Sequence, residues 1–144
     1  MDADEEDGRV VLVRRLFDSL EHADIAPLIQ AMCEDFRWSV MGTSAWSGTY
    51  DGKSAVVDDL LMAVGRQFSD GYTVTPVRII STNGEEVVVE CQGSVTTKSG
   101  QRYDNAYCWI ITVQDGVLRE LVEYGDTKLI DTVLDPPGTS APGA

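Results

Sequence analysis

Apolar residues recur at Val10, Val13, Leu16, Phe17 and Leu20, the i, i+3, i+4, i+7 spacing of an amphipathic helix. Asp24 is placed to cap a second helix, with Pro27 tolerated in its first turn and Leu28, Ile29 and Met32 as its buried stripe. The stretch DFRWSVMGTSAWSGTYDG reads as a strand stub and a loop, and Ser54 opens a third helix carrying Val56, Val57, Leu60, Leu61 and Val64. The period then drops to two. Four strands are predicted, over about 72–80, 85–96, 102–113 and 117–124. Helices first and antiparallel strands afterwards make an α+β fold, without the alternation of a parallel sheet. An acidic lead-in (1–8) precedes the domain at 9–133, and a Pro/Gly tail (134–144) is expected to be disordered.

With 144 residues the chain has one core's worth of sequence. The net charge of −13 argues against nucleic acid, whose phosphates attract Lys and Arg, and against an anionic membrane surface. No apolar run approaches the ~20 residues of a membrane span, and the acidic N-terminus does not resemble a signal peptide. Cys33, Cys91 and Cys108 lack C-x-x-C spacing, and His22 is the single histidine, expected to be exposed. The expectation is therefore a cytoplasmic protein with no metal and no cofactor.

Two turns decide which side chains meet. A two-residue loop at Ser99–Gly100 would pair Glu90 with Trp109, Gln92 with Tyr107, Ser94 with Asn105 and Cys91 with Cys108. In VQDGV, a three-residue loop Gln114–Gly116 would set Glu123 opposite Tyr107 and Leu121 opposite Trp109. A two-residue Asp115–Gly116 turn would set Glu123 opposite Cys108 and flip it to the other face. The first is favoured. One face then carries Gln92, Tyr107, Glu123, Glu90, Trp109, Leu121, Asn105 and Val88. The other carries Val87, Val89, Cys91, Val95, Cys108, Ile110, Val122 and Tyr124. The mixed face is lined like a ligand pocket. The alternative is that Glu90, Gln92 and Glu123 face solvent, although Tyr107 and Trp109 on the same face weigh against bulk water there.

The run Gly100, Tyr103, Asn105, Tyr107, then a DG turn, then EYGDT (Glu123 to Thr127) resembles the SnoaL-like, ketosteroid-isomerase-related branch of the nuclear transport factor 2-like superfamily. DFRW (Asp35 to Trp38), Gly42 and SGTYDGKSAV (Ser47 to Val56) fit the same pattern, over roughly residues 9 to 133. The resemblance implies a cone-shaped barrel: three N-terminal helices packed on a curved, mainly antiparallel sheet, with a pocket between. It also implies a homodimer through the outer face of the sheet, here the valine–cysteine face. Steroid isomerases of this fold place an aspartate base where this chain has Val40 and a tyrosine near Leu16. Limonene-type epoxide hydrolases place an arginine and two aspartates at Glu90, Gln92 and Glu123, of which only Glu123 keeps the acid. SnoaL-like cyclases rely on a single pocket acid/base, a pattern this chain meets.

The site expected on these grounds has Glu123, Tyr107 and Glu90 as catalytic groups. Trp38, Val40, Gln92, Asn105, Trp109 and Leu121 would contact a small apolar molecule. Burial against tryptophan would lift the Glu123 pKa, Glu90 would reinforce the lift, and Tyr107 and Asn105 would donate to a developing oxyanion. The implied chemistry is isomerisation, cyclisation or dehydration. The alternative is a non-catalytic ligand-binding or dimerisation module. Asp126 is read as a helix cap instead of a site residue.

Overall fold

The computed structural model describes residues 7–138. The acidic lead-in, except for Asp7 and Gly8, and the tail beyond Gly138 lie outside the described residues. Helix α1 (Gly8–Leu20) starts from Asp7, whose side chain accepts the Arg9 N–H, and buries Val13, Leu16, Phe17 and Leu20. Helix α2 (Ala26–Ala31) is short, and Met32, expected to end its stripe, instead opens strand β1 (Met32–Val40). Strand β2 (Gly48–Asp51) follows the tryptophan loop. The third helical segment, 53–65, begins as α3 (Lys53–Ala55), widens to π-helical turns over Val56–Met62 and closes as α4 (Ala63–Gly65).

Strands β3 (Thr73–Ser81), β4 (Glu86–Ser94), β5 (Ala106–Gln114) and β6 (Val117–Gly125) complete the sheet. Its order is β2-β1-β6-β5-β4-β3, with β1 and β6 parallel and the other neighbours antiparallel. The sheet is curved but does not close; the helices cover its concave side. Helix α5 (Thr127–Val133) is capped by Asp126, which accepts the Leu129 N–H at 3.1 Å, as the EYGDT stretch suggested. Leu134, assigned to the tail by its sequence, is buried in the core. Asp135 is held there by Gln67 and by the Trp46 indole, which donates to its carbonyl at 2.9 Å.

Both hairpins differ from expectation, and their loop lengths are interchanged. Thr97 and Gln101 close a three-residue loop with Gly100 at φ 87°, so Cys91 faces Tyr107, Val89 faces Trp109 and Glu90 faces Cys108. That one-residue slip turns Glu90 and Gln92 to the outer face and Val87, Val89, Cys91 and Val95 inward. The inward set is apolar, so burying it is the lower-energy register. In the second hairpin Gln114 pairs with Val117 around Asp115 (φ 54°) and Gly116 (φ 77°), the two-residue turn that was disfavoured. A bulge then leaves Arg119 unopposed between Leu118 and Glu120, and this second slip returns Glu123 to the inner face, opposite Trp109. The Glu123 face is as expected; its partner is not.

Candidate functional site

A cavity of about 640 Å³ opens between the sheet and the helices, within the size range of small-molecule sites. Its walls are mostly apolar. Trp38 and Val40 come from β1, Tyr107 and Trp109 from β5, and Leu60 and Leu61 from the widened helical segment. Each strand residue points inward because its own strand alternates, and the corrected registers bring those inner sets onto one concave surface. Ile130 and Leu134 close the C-terminal end, while exposed Arg66 and Asp70 stand at the rim.

Glu123 is the buried acid of this wall, 8% exposed. It is level with Val40 across the parallel β1–β6 pair, so a carboxyl at either position would enter the same part of the cavity. Burial raises its pKa from 4.5 to about 7; the neighbouring Trp109 and Trp38 indoles pull in the opposite direction by favouring the charged form. Trp109 Nε1 donates to Glu123 Oε1 at 3.0 Å. The Trp109 ring is fixed by Phe17, Trp38 and Tyr107, with centroids at 5.7, 5.4 and 5.5 Å. Near neutrality the carboxyl is therefore shared between its two protonation states, in fixed surroundings.

Beside the acid runs a row of phenols. Tyr72 and Tyr107 are hydrogen-bonded hydroxyl to hydroxyl, Tyr107 reaches Tyr103 Oη at 3.5 Å, and Asn105 Nδ2 donates to Tyr103 Oη at 3.0 Å. Burial holds the Tyr72 and Tyr107 pKa values well above the usual phenol range, so both remain neutral donors. Two glycines make room for the row. Gly125 lies opposite Tyr107, where an added Cβ would come within 3.0 Å of the ring, and a Cβ on Gly93 would collide with Tyr72.

Of the residues expected at the site, the structure brings together Glu123, Tyr107, Trp38, Val40 and Trp109. Leu121 is fully buried in the packed core and is absent from the cavity wall. Asn105 is also buried, but its amide is committed: Oδ1 accepts the Asp126 N–H at 2.9 Å, and Nδ2 serves Tyr103 and the Asp126 carbonyl. It ties β5 to the α5 cap and has no donor to spare for a ligand. Glu90 and Gln92 lie outside, for the register reason given above; Glu90 pairs with Arg78, and Gln92 bonds the Gly93 and Asp104 carbonyls at 3.0 Å. Glu90 therefore contributes nothing to the Glu123 shift.

Tyr72, Tyr103, Phe68 and Trp46 belong to the wall without having been anticipated. Tyr103 was within reach of sequence reasoning, because its period-two spacing with Asn105 and Tyr107 puts all three on one side. Trp46 enters from a loop, where no period applies, and Tyr72 lies just before β3, two residues from the wall residue Val74. His22 is exposed, as expected. Among the described residues no three His, Cys, Asp or Glu side chains converge as a metal site would require, and no helix is long and apolar enough to cross a membrane.

Residues 13–121 match the family model described as the SnoaL-like domain. The chain belongs to that family. A relative in Mycobacterium tuberculosis, an uncharacterised protein, is 25% identical over 121 residues, 83% of this chain and 89% of the relative. Two neighbours among solved structures have the same fold. A nuclear transport factor 2-like protein of unknown function from Burkholderia pseudomallei superposes with a TM-score of 0.75 at 19% identity, covering 90% of this chain and 100% of the neighbour. TerC, co-crystallised with polyporic acid, gives 0.72 at 20% identity, covering 88% and 98%. At such identities the likeness is one of fold.

Proposed function

We propose that this SnoaL-like domain binds a small, largely apolar molecule in the cavity and moves a proton on it, with Glu123 as general acid and base. The carrying observation is a buried carboxyl on a mostly apolar wall, where burial raises the Glu123 pKa to about 7. A general acid/base works best when its pKa lies near the working pH. The reaction class is isomerisation, cyclisation or dehydration of a carbonyl compound. Co-crystallisation of a neighbour of this fold with polyporic acid supports a small-molecule occupant. A second reading, a non-catalytic carrier of the same ligand, draws support from the phenol row, whose hydroxyls already bond one another.

We further propose a homodimer through the outer face of the sheet. Val88, Cys108, Ile110 and Val122 are half-buried there and Tyr124 is 49% exposed. The three free cysteines support a reducing, cytoplasmic setting.

The test of the proton-transfer reading is exchange in deuterated water. Cavity-sized ketones should gain deuterium next to the carbonyl faster with the protein than without it, and Glu123→Gln should reduce that gain ~100-fold or more. Ketones that bind without exchanging would assign the cavity to carriage.

A further inference from the structure

The chain has three tryptophans, and two of their indole N–H groups have acceptors: Trp46 the Asp135 carbonyl at 2.9 Å, and Trp109 the Glu123 carboxyl at 3.0 Å. The third, on Trp38, does not. The Trp38 side chain is 3% exposed and lines the cavity, yet its Nε1 has no hydrogen-bond partner. The only other buried unpartnered side-chain nitrogen among the described residues is Arg9 Nη1, on a residue that does not line the cavity. A buried N–H without a partner costs about 1–3 kcal/mol, so its location needs a reason.

The ring has little freedom to find an acceptor by turning. It stands edge-on between Trp109 and Phe36, with centroids at 5.4 and 6.5 Å and interplanar angles of 80° and 83°. Its N–H lies close enough to Glu123 to favour the charged carboxylate, but short of hydrogen-bond geometry. Two indoles thus flank one carboxyl. Trp109 is committed to an oxygen of that carboxyl, while the Trp38 N–H makes only a weak approach to it and has room for a better acceptor.

We propose that Trp38 Nε1–H donates to the ligand's reacting oxygen beside Glu123, and that the pair selects carbonyl or phenolic compounds whose oxygen accepts while an adjacent proton is exchanged. This inference rests on the acid/base reading of Glu123. For an enolisable ketone, the C–H bond next to the carbonyl breaks and its proton passes to the Glu123 carboxylate. The C–H electron pair becomes the new C=C bond, and the carbonyl π pair moves onto oxygen. The resulting enolate oxygen is held by the Trp38 N–H, which keeps its proton, since indole is a donor only. A fixed donor aimed where charge develops stabilises the enolate more than the ketone. A hydrocarbon of the same size would gain nothing from the pair.

The test uses the full chain, with 2-naphthol as the oxygen-bearing probe and naphthalene as its hydrocarbon counterpart. In ¹⁵N-labelled protein, with indole signals assigned on the wild type, 2-naphthol should move the Trp38 N–H proton downfield relative to naphthalene and leave Trp46 in place. Trp38→Phe keeps a ring and removes the donor. It should weaken 2-naphthol about 5- to 10-fold and leave naphthalene within about twofold. Equal loss for both probes would make Trp38 a packing residue and overturn the proposal, as would an unmoved Trp38 signal. The wild-type spectrum decides the question even if the variant fails to fold. If Glu123→Gln abolishes the preference for 2-naphthol while Trp38→Phe does not, the Trp38 proposal fails and the Glu123 reading stands. If Glu123→Gln leaves the deuterium gain of cavity-sized ketones unchanged, the Glu123 reading fails on its own. Failure of both probes to bind would overturn both.

Discussion

Replacing Glu123 by Gln should change the pH dependence of stability in a direction opposite to ordinary acid protection. The side chain is buried, and its pKa rises from 4.5 to about 7 in the fold. Below about pH 4.5 it is neutral in both folded and unfolded chains and adds no ionisation penalty. Between those two values the unfolded chain releases the proton and the folded one keeps it, so stability falls as pH rises. Above about 7 both forms are charged and the loss is complete. At about 1.4 kcal/mol per pH unit, the gap amounts to roughly 3 kcal/mol. Glutamine keeps the shape and never ionises. Glu123→Gln should therefore match the wild type near pH 4.5, apart from its altered bond to Trp109, and exceed it by about 3 kcal/mol near pH 8. Urea unfolding of both proteins at four or five pH values measures the difference directly. The pairwise comparison removes the other carboxylates, including Asp35 and Asp104, which hydrogen bonds from Cys33 and Arg102 hold below their usual range. A difference that stays flat with pH would mean that Glu123 ionises normally, and the proton-transfer reading would lose its basis.

Two further substitutions test the architecture. Asn105→Ala should cost about 2–3 kcal/mol in urea unfolding, because it strips the Asp126 N–H of its acceptor and Tyr103 of a donor in a buried place; a loss below about 0.5 kcal/mol would remove Asn105 from its bracing role. Val89→Glu, which an outward-facing Val89 would make a dimer-breaking change, should instead unfold the chain, since Val89 is completely buried beside Trp109. Val122→Glu, on the outer face, should leave the fold intact and shift sedimentation from dimer to monomer; a folded variant that sediments like the wild type would place the interface elsewhere.

Much of this molecule is determined by local sequence. The i, i+3, i+4 stripe of α1, the period-two alternation of β5 and the Asp126 cap each depend on residues within a few positions, and each forms as the sequence implies. Alternation also settles that Tyr107 and Trp109 share a side of their own strand. It cannot settle which side of the next strand joins them, because one residue of loop length inverts that relation. KSG and DG each accept two- and three-residue loops, and what selects between them is which faces become buried. Putting Val87, Val89 and Cys91 inward overrides the local preference in the first hairpin. In the second, Leu118 and Leu121 are both completely buried though three residues apart, which plain alternation forbids and the Arg119 bulge permits. That spacing was the available sign of the bulge. The chemistry of Glu123 lies beyond any such sign. Its raised pKa comes from burial among elements distant in the chain, and the Trp38 N–H meets Glu123 only where β1 runs beside β6. Periodicity determines which residues could form a wall; only the packed sheet decides which charge is kept dry and which donor is left free.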